Sequence, residues 1–157
     1  SAELIMTGRG STGRMTAVRR RMADSPFSDR IHYLGFLSDE EYYRVVAGCD
    51  VACVVRVQSE FAERGFPFKL GEYLASGRPV VTSRVGDVTE YLKDRVNAVL
   101  VEPGSATGIA AALEYLFEDE QRALAIGKAG QAVAREHFDA HKVGARLSDF
   151  IRQVAAR

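Results

Sequence analysis

Residues 63–81 read Glu63-Arg64-Gly65-Phe66-Pro67-Phe68-Lys69-Leu70-Gly71-Glu72-Tyr73-Leu74-Ala75-Ser76-Gly77-Arg78-Pro79-Val80-Val81, the best-punctuated stretch of the chain. Pro67 suits the first turn of a helix, Gly77 suits a left-handed residue just past its end, and Pro79 prevents the helix from continuing. The β-branched pair Val80-Val81 then predicts a buried strand. The stretch therefore predicts one helix–strand unit of an α/β fold.

Short β-rich runs alternate with segments of helical period on both sides of this stretch, which is typical of a parallel sheet covered by helices. The candidate strands are Leu4–Thr7, Ile31–Leu34, Val51–Val55, Val80–Ser83 and Ala98–Val101. Ser38-Asp39-Glu40-Glu41 reads as a capping box that opens a helix. We predict an α/β fold, with a Rossmann-like parallel sheet of about five strands, helices on both faces and a helical C-terminal tail.

Length and charge limit the classes of function. The 157 residues fit one domain. The 21 basic and 21 acidic side chains cancel, so no net field attracts nucleic acid, and a DNA or RNA partner is not expected. Cys49 and Cys53 lie in an apolar stretch and read as buried reduced thiols, with a disulfide or a metal pair as the alternative. Reduced thiols favour a cytoplasmic location.

A glycine fingerprint near the start admits two interpretations. Gly8-Arg9-Gly10-Ser11-Thr12-Gly13 matches the G-x-G-x-x-G of dinucleotide-binding folds, where glycines let the backbone approach a pyrophosphate. That chemistry also requires an acidic residue at the end of the second strand, and this strand runs into Gly35-Phe36-Leu37 instead. We favour a tight strand-to-helix turn, and an NAD-dependent oxidoreductase remains the alternative.

The helix after Pro67 carries the candidate binding chemistry. Lys69, Glu72 and Ser76 share one side of this helix because they are three and four residues apart. Glu72 is able to accept two hydrogen bonds from a ribose diol, and Lys69 is able to neutralise a phosphate. On chemistry alone, an ordinary solvated Lys69–Glu72 pair is the favoured interpretation. His32, His137 and His141 are not grouped as a metal set, and we predict no metal.

The order of residues favours a binding site over a solvated pair, because the stretch resembles the diagnostic segment of the group 1 (family 4) glycosyltransferases of the GT-B type. In that family, a Gly-Phe-x-Pro or Phe-Pro motif leads into a helix whose Glu is followed by Ala-x-Gly-x-Pro-Val-Val. Gly65–Pro67, Glu72 and Ala75–Val81 stand in those places. Further segments that resemble the family are Leu34–Ser38, Ser83–Leu92 and Asn97–Gly104.

The resemblance implies a donor site for a nucleotide sugar, with a UDP-, GDP- or ADP-sugar as substrate and no cofactor. It implies that Glu72 binds the ribose, that backbone amides around Gly65–Pro67 approach the sugar and phosphates, and that Gly35–Leu37 helps hold the nucleobase. The sugar would pass to an acceptor, usually with retention at the anomeric carbon. The candidate donor-binding residues are Leu37, Glu63, Arg64, Gly65, Phe66, Pro67, Lys69 and Glu72, and no catalytic residue is predicted.

Other functions remain open at this point. A non-catalytic nucleotide-sugar-binding module and a nucleotide-sugar epimerase of related fold fit the same residues. One departure from the family motif also bears on the sugar: the motif has two glutamates eight positions apart, and the earlier one falls on Arg64. Glu63 is next to it and would substitute after a small shift of the loop.

The likeness begins at the second strand of the family's C-terminal domain. The preceding strand, whose loop normally carries an Arg and a Lys on the pyrophosphate, and the N-terminal domain with the acceptor site are expected outside this sequence. That strand is central in the doubly wound order, and its neighbours would lose many hydrogen bonds without it. We predict that another chain, a swapped element or a rearranged sheet fills the gap, and that the isolated chain is inactive. The basic run Arg19–Arg21, with Arg9 and Arg14, is the best electrostatic patch, and we favour a solvated helix face over a phosphate or membrane-surface contact. Peripheral membrane attachment is common in the family, but the sequence does not establish it.

Overall fold

A computed structural model describes residues 2–156, and Ser1 and Arg157 lie outside the described part. The strands are β1 (Leu4–Met6), β2 (Ile31–Tyr33), β3 (Ala52–Val54), β4 (Val80–Ser83) and β5 (Val99–Val101). The helices are α1 (Thr12–Ala23), α2 (Asp39–Gly48), α3 (Glu60–Arg64), α4 (Phe68–Ala75), α5 (Val88–Tyr91), α6 (Ala106–Phe117), α7 (Glu120–Val133) and α8 (Ala140–Ala155). A 3-10 turn at Ser28–Arg30 precedes β2, and a π-helical turn at Ala134–Phe138 joins α7 to α8.

The predicted strands are all present, and every strand pair is parallel. The expectation of one continuous sheet needs a correction, because the strands form two sheets: β1 pairs with β2, and β4 lies between β3 and β5. Each neighbour is the one that the doubly wound order predicts. The break falls between β1 and β3. In the doubly wound order, one further strand lies between the positions of these two strands.

The chain divides at the same place into two compact units, Ser1–Val45 and Val46–Arg157, each holding one sheet. Within residues 2–156, no strand pairs with the second edge of β1 or of β3. The order inside each sheet is regular, so the chain has not rearranged its own strands to fill the gap. A filler from another chain or from a swapped element stays a prediction.

Helices cover both faces of the three-stranded sheet in the second unit. Successive side chains of a strand point to opposite faces. Val80 accordingly packs in a cluster with Leu70 and Leu74 of α4, whereas Val81 packs with Leu116 of α6. All four residues of β4 are buried. This alternation confirms the predicted layering for this unit and fixes α4 on one face.

Two glycines bring α7 close to the backbone of the segments that precede β4 and β5. A Cβ at Gly127 would overlap the Gly77 carbonyl oxygen and would lie 2.9 Å from the Pro79 nitrogen. A Cβ at Gly130 would lie 2.7 Å from the Asn97 carbonyl oxygen. Gly77 itself has φ +75°, the left-handed conformation predicted for the end of α4. The contacts at Gly127 hold the turn between α4 and β4 against α7, and those at Gly130 hold the loop before β5 against the same helix.

The capping box at the start of α2 is confirmed. The backbone N–H and the hydroxyl of Ser38 both donate to Glu41 Oε2, at 2.9 and 2.7 Å. These hydrogen bonds, the hydroxyl contact foremost, lower the pKa of the Glu41 carboxyl. The reciprocal bond from the Glu41 N–H to the Ser38 hydroxyl is 3.4 Å long. The start of α2 is therefore fixed by the local signal visible in the sequence.

The two cysteines are free thiols, and the expectation that both are buried is confirmed only in part. Cys49 is half-buried and Cys53 is exposed. Cys53 is in register with Val81, so it points to the α6 side of β3, the outer strand of its sheet. Desolvation of its thiol still raises the pKa of Cys53 to about 11.

The helical tail is confirmed, and α8 leaves an apolar side uncovered. No residue of α8 is buried. Its exposed apolar residues are Val143, Leu147, Phe150, Ile151 and Val154, with 41 to 63% of their surface accessible. None of the helices within residues 2–156 is both long enough and apolar enough to cross a membrane.

Candidate functional site

The loops that follow β3, β4 and β5 meet at the carboxyl edge of the second unit's sheet, and hydrogen bonds tie them together at one residue. Ser83 Oγ accepts from the Arg56 backbone N–H at 2.8 Å and donates to the Arg56 carbonyl at 3.1 Å. The backbone N–H of Gly104 donates to the same carbonyl at 3.1 Å. In open parallel sheets, ligands bind outside this edge.

The helix α4 carries two of the predicted donor-binding residues. Pro67 is its N-cap and is fully buried, which keeps the entry to the helix rigid. Lys69 Nζ and Glu72 Oε2 are 4.0 Å apart, and the two side chains are 55% and 39% exposed. Their charges are therefore adjacent and partly open to solvent, as the three-residue spacing predicts.

Ser76 does not join this pair in the way the sequence indicates. Its hydroxyl turns back and donates to the Tyr73 carbonyl oxygen at 2.6 Å. It also accepts from the backbone N–H of Arg78 at 3.1 Å. Because both hydroxyl functions serve the end of α4, Ser76 has a capping role instead of sharing the Lys69–Glu72 side.

Glu63 and Arg64 point in different directions. The Glu63 carboxylate accepts from Gln58 Nε2 at 2.7 Å and from the backbone N–H of Gly86 at 3.4 Å. Arg64 instead pairs with Glu60 at 2.7 Å and is 79% exposed. Glu63 is therefore the member of this pair that bridges the loop after β3 to the loop after β4.

Two glycines hold those loops close together. A Cβ at Gly65 would lie 2.9 Å from the Phe61 carbonyl oxygen. A Cβ at Gly86 would lie 2.8 Å from the Glu63 carbonyl oxygen, and Gly86 has φ +48°. Any side chain at either position would press on the backbone of α3. The close approach explains why glycine stands at both positions.

Phe66 packs inward, into an aromatic cluster that the sequence did not reveal. Its ring centroid lies 5.8 Å from that of Tyr91 and 5.2 Å from that of Phe138. His137 joins through Tyr91, at 5.3 Å. Because the ring of Phe66 faces this cluster, its predicted contribution to a donor site concerns its backbone only. Tyr91 lies in the segment 83–92, which resembles the family. No local signal in the sequence indicated that Phe138 belongs to the cluster.

In the first unit, the loops after β1 and β2 contact each other. The backbone N–H of Gly8 donates to the Gly35 carbonyl at 2.7 Å, and Tyr33 Oη donates to the Gly8 carbonyl at 2.5 Å. The Arg9 guanidinium carbon lies 4.7 Å from the ring centroid of Phe36, which is 70% exposed. Leu37 follows in the same loop and is half-buried.

The glycine fingerprint behaves as a strand-to-helix turn. Gly8 has φ +128°, which requires glycine, but a Cβ at Gly13 would meet no atom within 4 Å. In dinucleotide-binding folds, the third glycine allows close packing of helix and strand. That packing is not present at Gly13, so the turn interpretation of this segment is the better one.

The histidines serve structural contacts. His32 Nε2 lies 3.5 Å from Glu3 Oε2 across β1 and β2, an acidic neighbour that the linear sequence did not suggest. His137 and His141 are separated by Asp139, which caps α8. Across residues 2–156, no three or more His, Cys, Asp or Glu side chains gather closely enough to hold a metal ion. The absence of a metal in the mechanism stays a prediction.

The parallel sheets and their helical layers place the protein in the Rossmann-like class of folds. A comparison with known families is more specific. Residues 1–119 match the family described as "Glycosyl transferases group 1". The chain therefore belongs to the group 1 glycosyltransferases, and this membership decides against the oxidoreductase interpretation of the glycine fingerprint.

Relatives and solved structures agree with this assignment. The chain is 31% identical over 137 residues to the MMP alpha-(1->4)-mannosyltransferase of Mycolicibacterium hassiacum, which covers 87% of the chain and 32% of that protein. It is 25% identical to the amylovoran biosynthesis glycosyltransferase AmsK of Erwinia amylovora, over 88% of the chain and 34% of that protein. It thus spans about a third of the length of these curated relatives.

The solved structures establish the fold as GT-B. The Anabaena HepE structure with UDP-glucose superposes with a TM-score of 0.85 at 23% identity, covering 96% of this chain and 41% of that chain. The C-terminal domain of the Francisella tularensis group 1 protein LpcC superposes with a TM-score of 0.66 at 21% identity, over 82% of this chain and 64% of that chain. At these identities, the likeness concerns the fold alone.

Proposed function

We propose that this chain is the donor-binding domain of a longer, retaining glycosyltransferase, which takes a UDP-, GDP- or ADP-sugar and transfers its sugar to an acceptor. The observation that carries the proposal is the Lys69–Glu72 pair, with charged atoms 4.0 Å apart and open to solvent on α4. The family of the chain and the UDP-glucose bound to HepE support the same substrate class.

The chemistry assigned to this pair is complementary. The Glu72 carboxylate accepts hydrogen bonds from the two ribose hydroxyls, because an ionised carboxylate has only acceptors. The Lys69 ammonium offsets phosphate charge. Backbone N–H groups of Gly65 and Phe66 approach the sugar and its phosphates, and Pro67, which has no N–H, fixes the turn. Catalysis then rests mainly on positioning and on stabilising the leaving phosphate.

The donor sugar is assigned to Glu63 instead of Arg64. Glu63 already holds the Gly86 backbone N–H at 3.4 Å, next to the close contact between Gly65 and Phe61. Arg64 is engaged with Glu60 on the solvent side. Glu63 therefore takes the place of the first glutamate of the family motif. Leu37, in the first unit, is assigned to the nucleobase on the resemblance alone.

The rest of the enzyme is proposed to lie outside these residues. The chain spans about a third of the length of its curated relatives. The apolar side of α8 is exposed, with Phe150 at 63% and Ile151 at 57%, and an area of this kind normally contacts another protein surface. An N-terminal domain that carries the acceptor site fits this surface. A strand from that part, or from a second copy, fits the free edges of β1 and β3.

We place the reaction in the cytoplasm. A second proposal is that the basic face of α1 contacts the membrane surface. Arg20 in this face pairs only at the surface, 3.5 Å from Asp24. A relative from Mycobacterium tuberculosis, 26% identical, is a GDP-mannose-dependent phosphatidylinositol monomannoside mannosyltransferase, whose named substrate is a lipid. Sedimentation with anionic vesicles, compared between the wild type and Arg19→Ala/Arg21→Ala, tests this second proposal.

The proposal is tested by calorimetric titration of the complete protein with UDP, GDP, ADP and NAD. We expect one nucleoside diphosphate to bind, and Glu72→Ala to weaken it about tenfold or more, since a hydrogen bond to a charged group contributes about 1.5–3 kcal/mol. Glu114→Ala on α6 changes an exposed carboxylate and should leave binding unchanged. Binding of NAD alone would contradict the proposal. Turnover that needs no acceptor would indicate an epimerase instead.

A further inference from the structure

Arg56 occupies an unusual position at the carboxyl edge of the sheet, two residues past the end of β3. Its backbone N–H and carbonyl are held by Ser83 Oγ at 2.8 and 3.1 Å, and the carbonyl also accepts from Gly104. Because these bonds come from the ends of β4 and β5, the α-carbon of Arg56 is fixed relative to the whole sheet. Its side chain thus starts from a rigid point.

One nitrogen of the half-buried Arg56 guanidinium lacks a hydrogen-bond partner among residues 2–156. This atom, Nη1, is shielded from solvent. The guanidinium carbon lies 5.5 Å from the ring centroid of Phe61, and this contact offers the cation no acceptor atom. A shielded donor nitrogen without an acceptor is costly, and an acceptor that a ligand brings is one explanation for it.

Acidic side chains near this loop are committed elsewhere. Glu63 is held by Gln58 and by the Gly86 backbone, and Glu60 by Arg64. Arg56 Nη1 instead faces Gly65, 3.6 Å from the position that a Cβ would take there. The unpaired charge therefore lies directly beneath the loop whose backbone is assigned to the donor's sugar and phosphates.

We propose that Arg56 is a phosphate ligand of the donor site, a role that rests on the proposed function and that the family motif does not assign. A phosphate oxygen of the nucleoside diphosphate supplies the missing acceptor when the loop at Gly65 lifts. Glycine at that position allows the required backbone change. A guanidinium suits this task because it binds phosphate in a fixed, forked geometry. The unpaired charge in the unliganded protein is then a cost that the ligand offsets.

Thermal unfolding of the complete protein with inorganic pyrophosphate tests this role. Pyrophosphate has no ribose, so its binding does not depend on Glu72. We expect it to raise the Tm of the wild type, and Arg56→Met to need about tenfold or more pyrophosphate for the same rise. Without ligand, the Tm of Arg56→Met should be no lower than that of the wild type, because an apolar chain replaces an unpaired charge.

Arg44→Met is the matched control, since Arg44 pairs with Glu40 on the surface and is 71% exposed; it should respond like the wild type. Equal protection of the wild type and Arg56→Met, or no protection of the wild type, overturns the proposal, as does a large fall in the Tm of ligand-free Arg56→Met. If Arg56→Met does not fold, Arg56→Lys decides, because it keeps the charge and should bind pyrophosphate several-fold more weakly. A further outcome is that pyrophosphate raises the Tm through Arg56 while no nucleoside diphosphate binds. This result would contradict the proposed function but not the phosphate contact of Arg56.

Discussion

The Ser83 hydroxyl forms two hydrogen bonds with the backbone of Arg56, accepting from its N–H at 2.8 Å and donating to its carbonyl at 3.1 Å. Ser83 is the last residue of β4 and is 1% exposed. One buried side chain thereby joins the ends of two neighbouring strands at the edge where a ligand would bind. The start of the loop after β3 is anchored by these two hydrogen bonds and by the Gly104 N–H, which donates to the same carbonyl at 3.1 Å.

Ser83→Ala should therefore destabilise the second unit. The change leaves the partly buried N–H of Arg56 without its acceptor, which costs about 1–3 kcal/mol. The measurement is the free energy of unfolding in urea. Thr89→Ala, at an exposed position of α5, is the control and should change it by less than about 0.5 kcal/mol. A Ser83→Ala protein as stable as the control would show that the two hydrogen bonds do not hold the strand ends.

Alanine substitutions at one glycine of α7 and at one glycine of α8 should change the stability of the protein in opposite directions. Gly127→Ala forces a Cβ against the Gly77 carbonyl and the Pro79 nitrogen, and we expect a loss of about 1–3 kcal/mol. Gly144→Ala, in α8, meets no atom within 4 Å and should stabilise the helix by about 0.5–1 kcal/mol. Thermal unfolding of both variants checks the pair. An equal effect of the two changes would contradict the close approach of α7.

Substitutions at Glu63 and Arg64 should separate their roles. Glu63→Gln should weaken binding of the intact nucleotide sugar more than that of the nucleoside diphosphate, because Glu63 is assigned to the sugar. Arg64→Gln should change neither affinity by more than about twofold, since a surface ion pair contributes little. Calorimetric titration of each variant with both ligands gives the comparison. A larger effect at Arg64 would exchange the two assignments.

The helix α8 should show a pH-dependent cap. Asp139 Oδ1 accepts from the backbone N–H groups of Lys142 and His141, each at 3.0 Å, and these bonds, that of Lys142 first, lower the pKa of the Asp139 carboxyl. A folded-state pKa below the unfolded value gives stability above the unfolded pKa, which is lost as the pH falls through the folded pKa. The stability difference between the wild type and Asp139→Asn should thus be present at pH 7 and shrink below about pH 4. A constant difference over this range would exclude the charged cap.

The sequence predicted the features of this fold that depend on local signals. Pro67, Gly77 and Pro79 mark α4 through backbone geometry alone, and three-residue spacing brings Lys69 next to Glu72. Ser38 and Glu41 likewise form their cap within one turn. Each of these predictions needs only a few consecutive residues, so one sequence is enough.

Features that depend on distant contacts were missed. Arg56 and Ser83 are 27 positions apart, and nothing near either residue reveals the bond between them. Phe138 reaches Phe66 from the opposite end of the second unit's sequence. Ser76 is a local exception: it was expected beside Glu72, but its hydroxyl donates to the Tyr73 carbonyl three residues earlier. The division into two sheets was also missed, because the spacing of the strands along the chain does not reveal which of them pair.

The central claim is that the Glu72 carboxylate binds the ribose of the donor nucleotide. A thermodynamic cycle tests it most directly, using the nucleoside diphosphate that binds and its 2′-deoxy and 3′-deoxy analogues, each titrated into the wild type and Glu72→Ala. If the contact exists, removing a ribose hydroxyl weakens binding to the wild type but has little further effect on Glu72→Ala, with a coupling of about 1 kcal/mol or more. Losses that simply add, with no coupling for either hydroxyl, would contradict the assignment of Glu72.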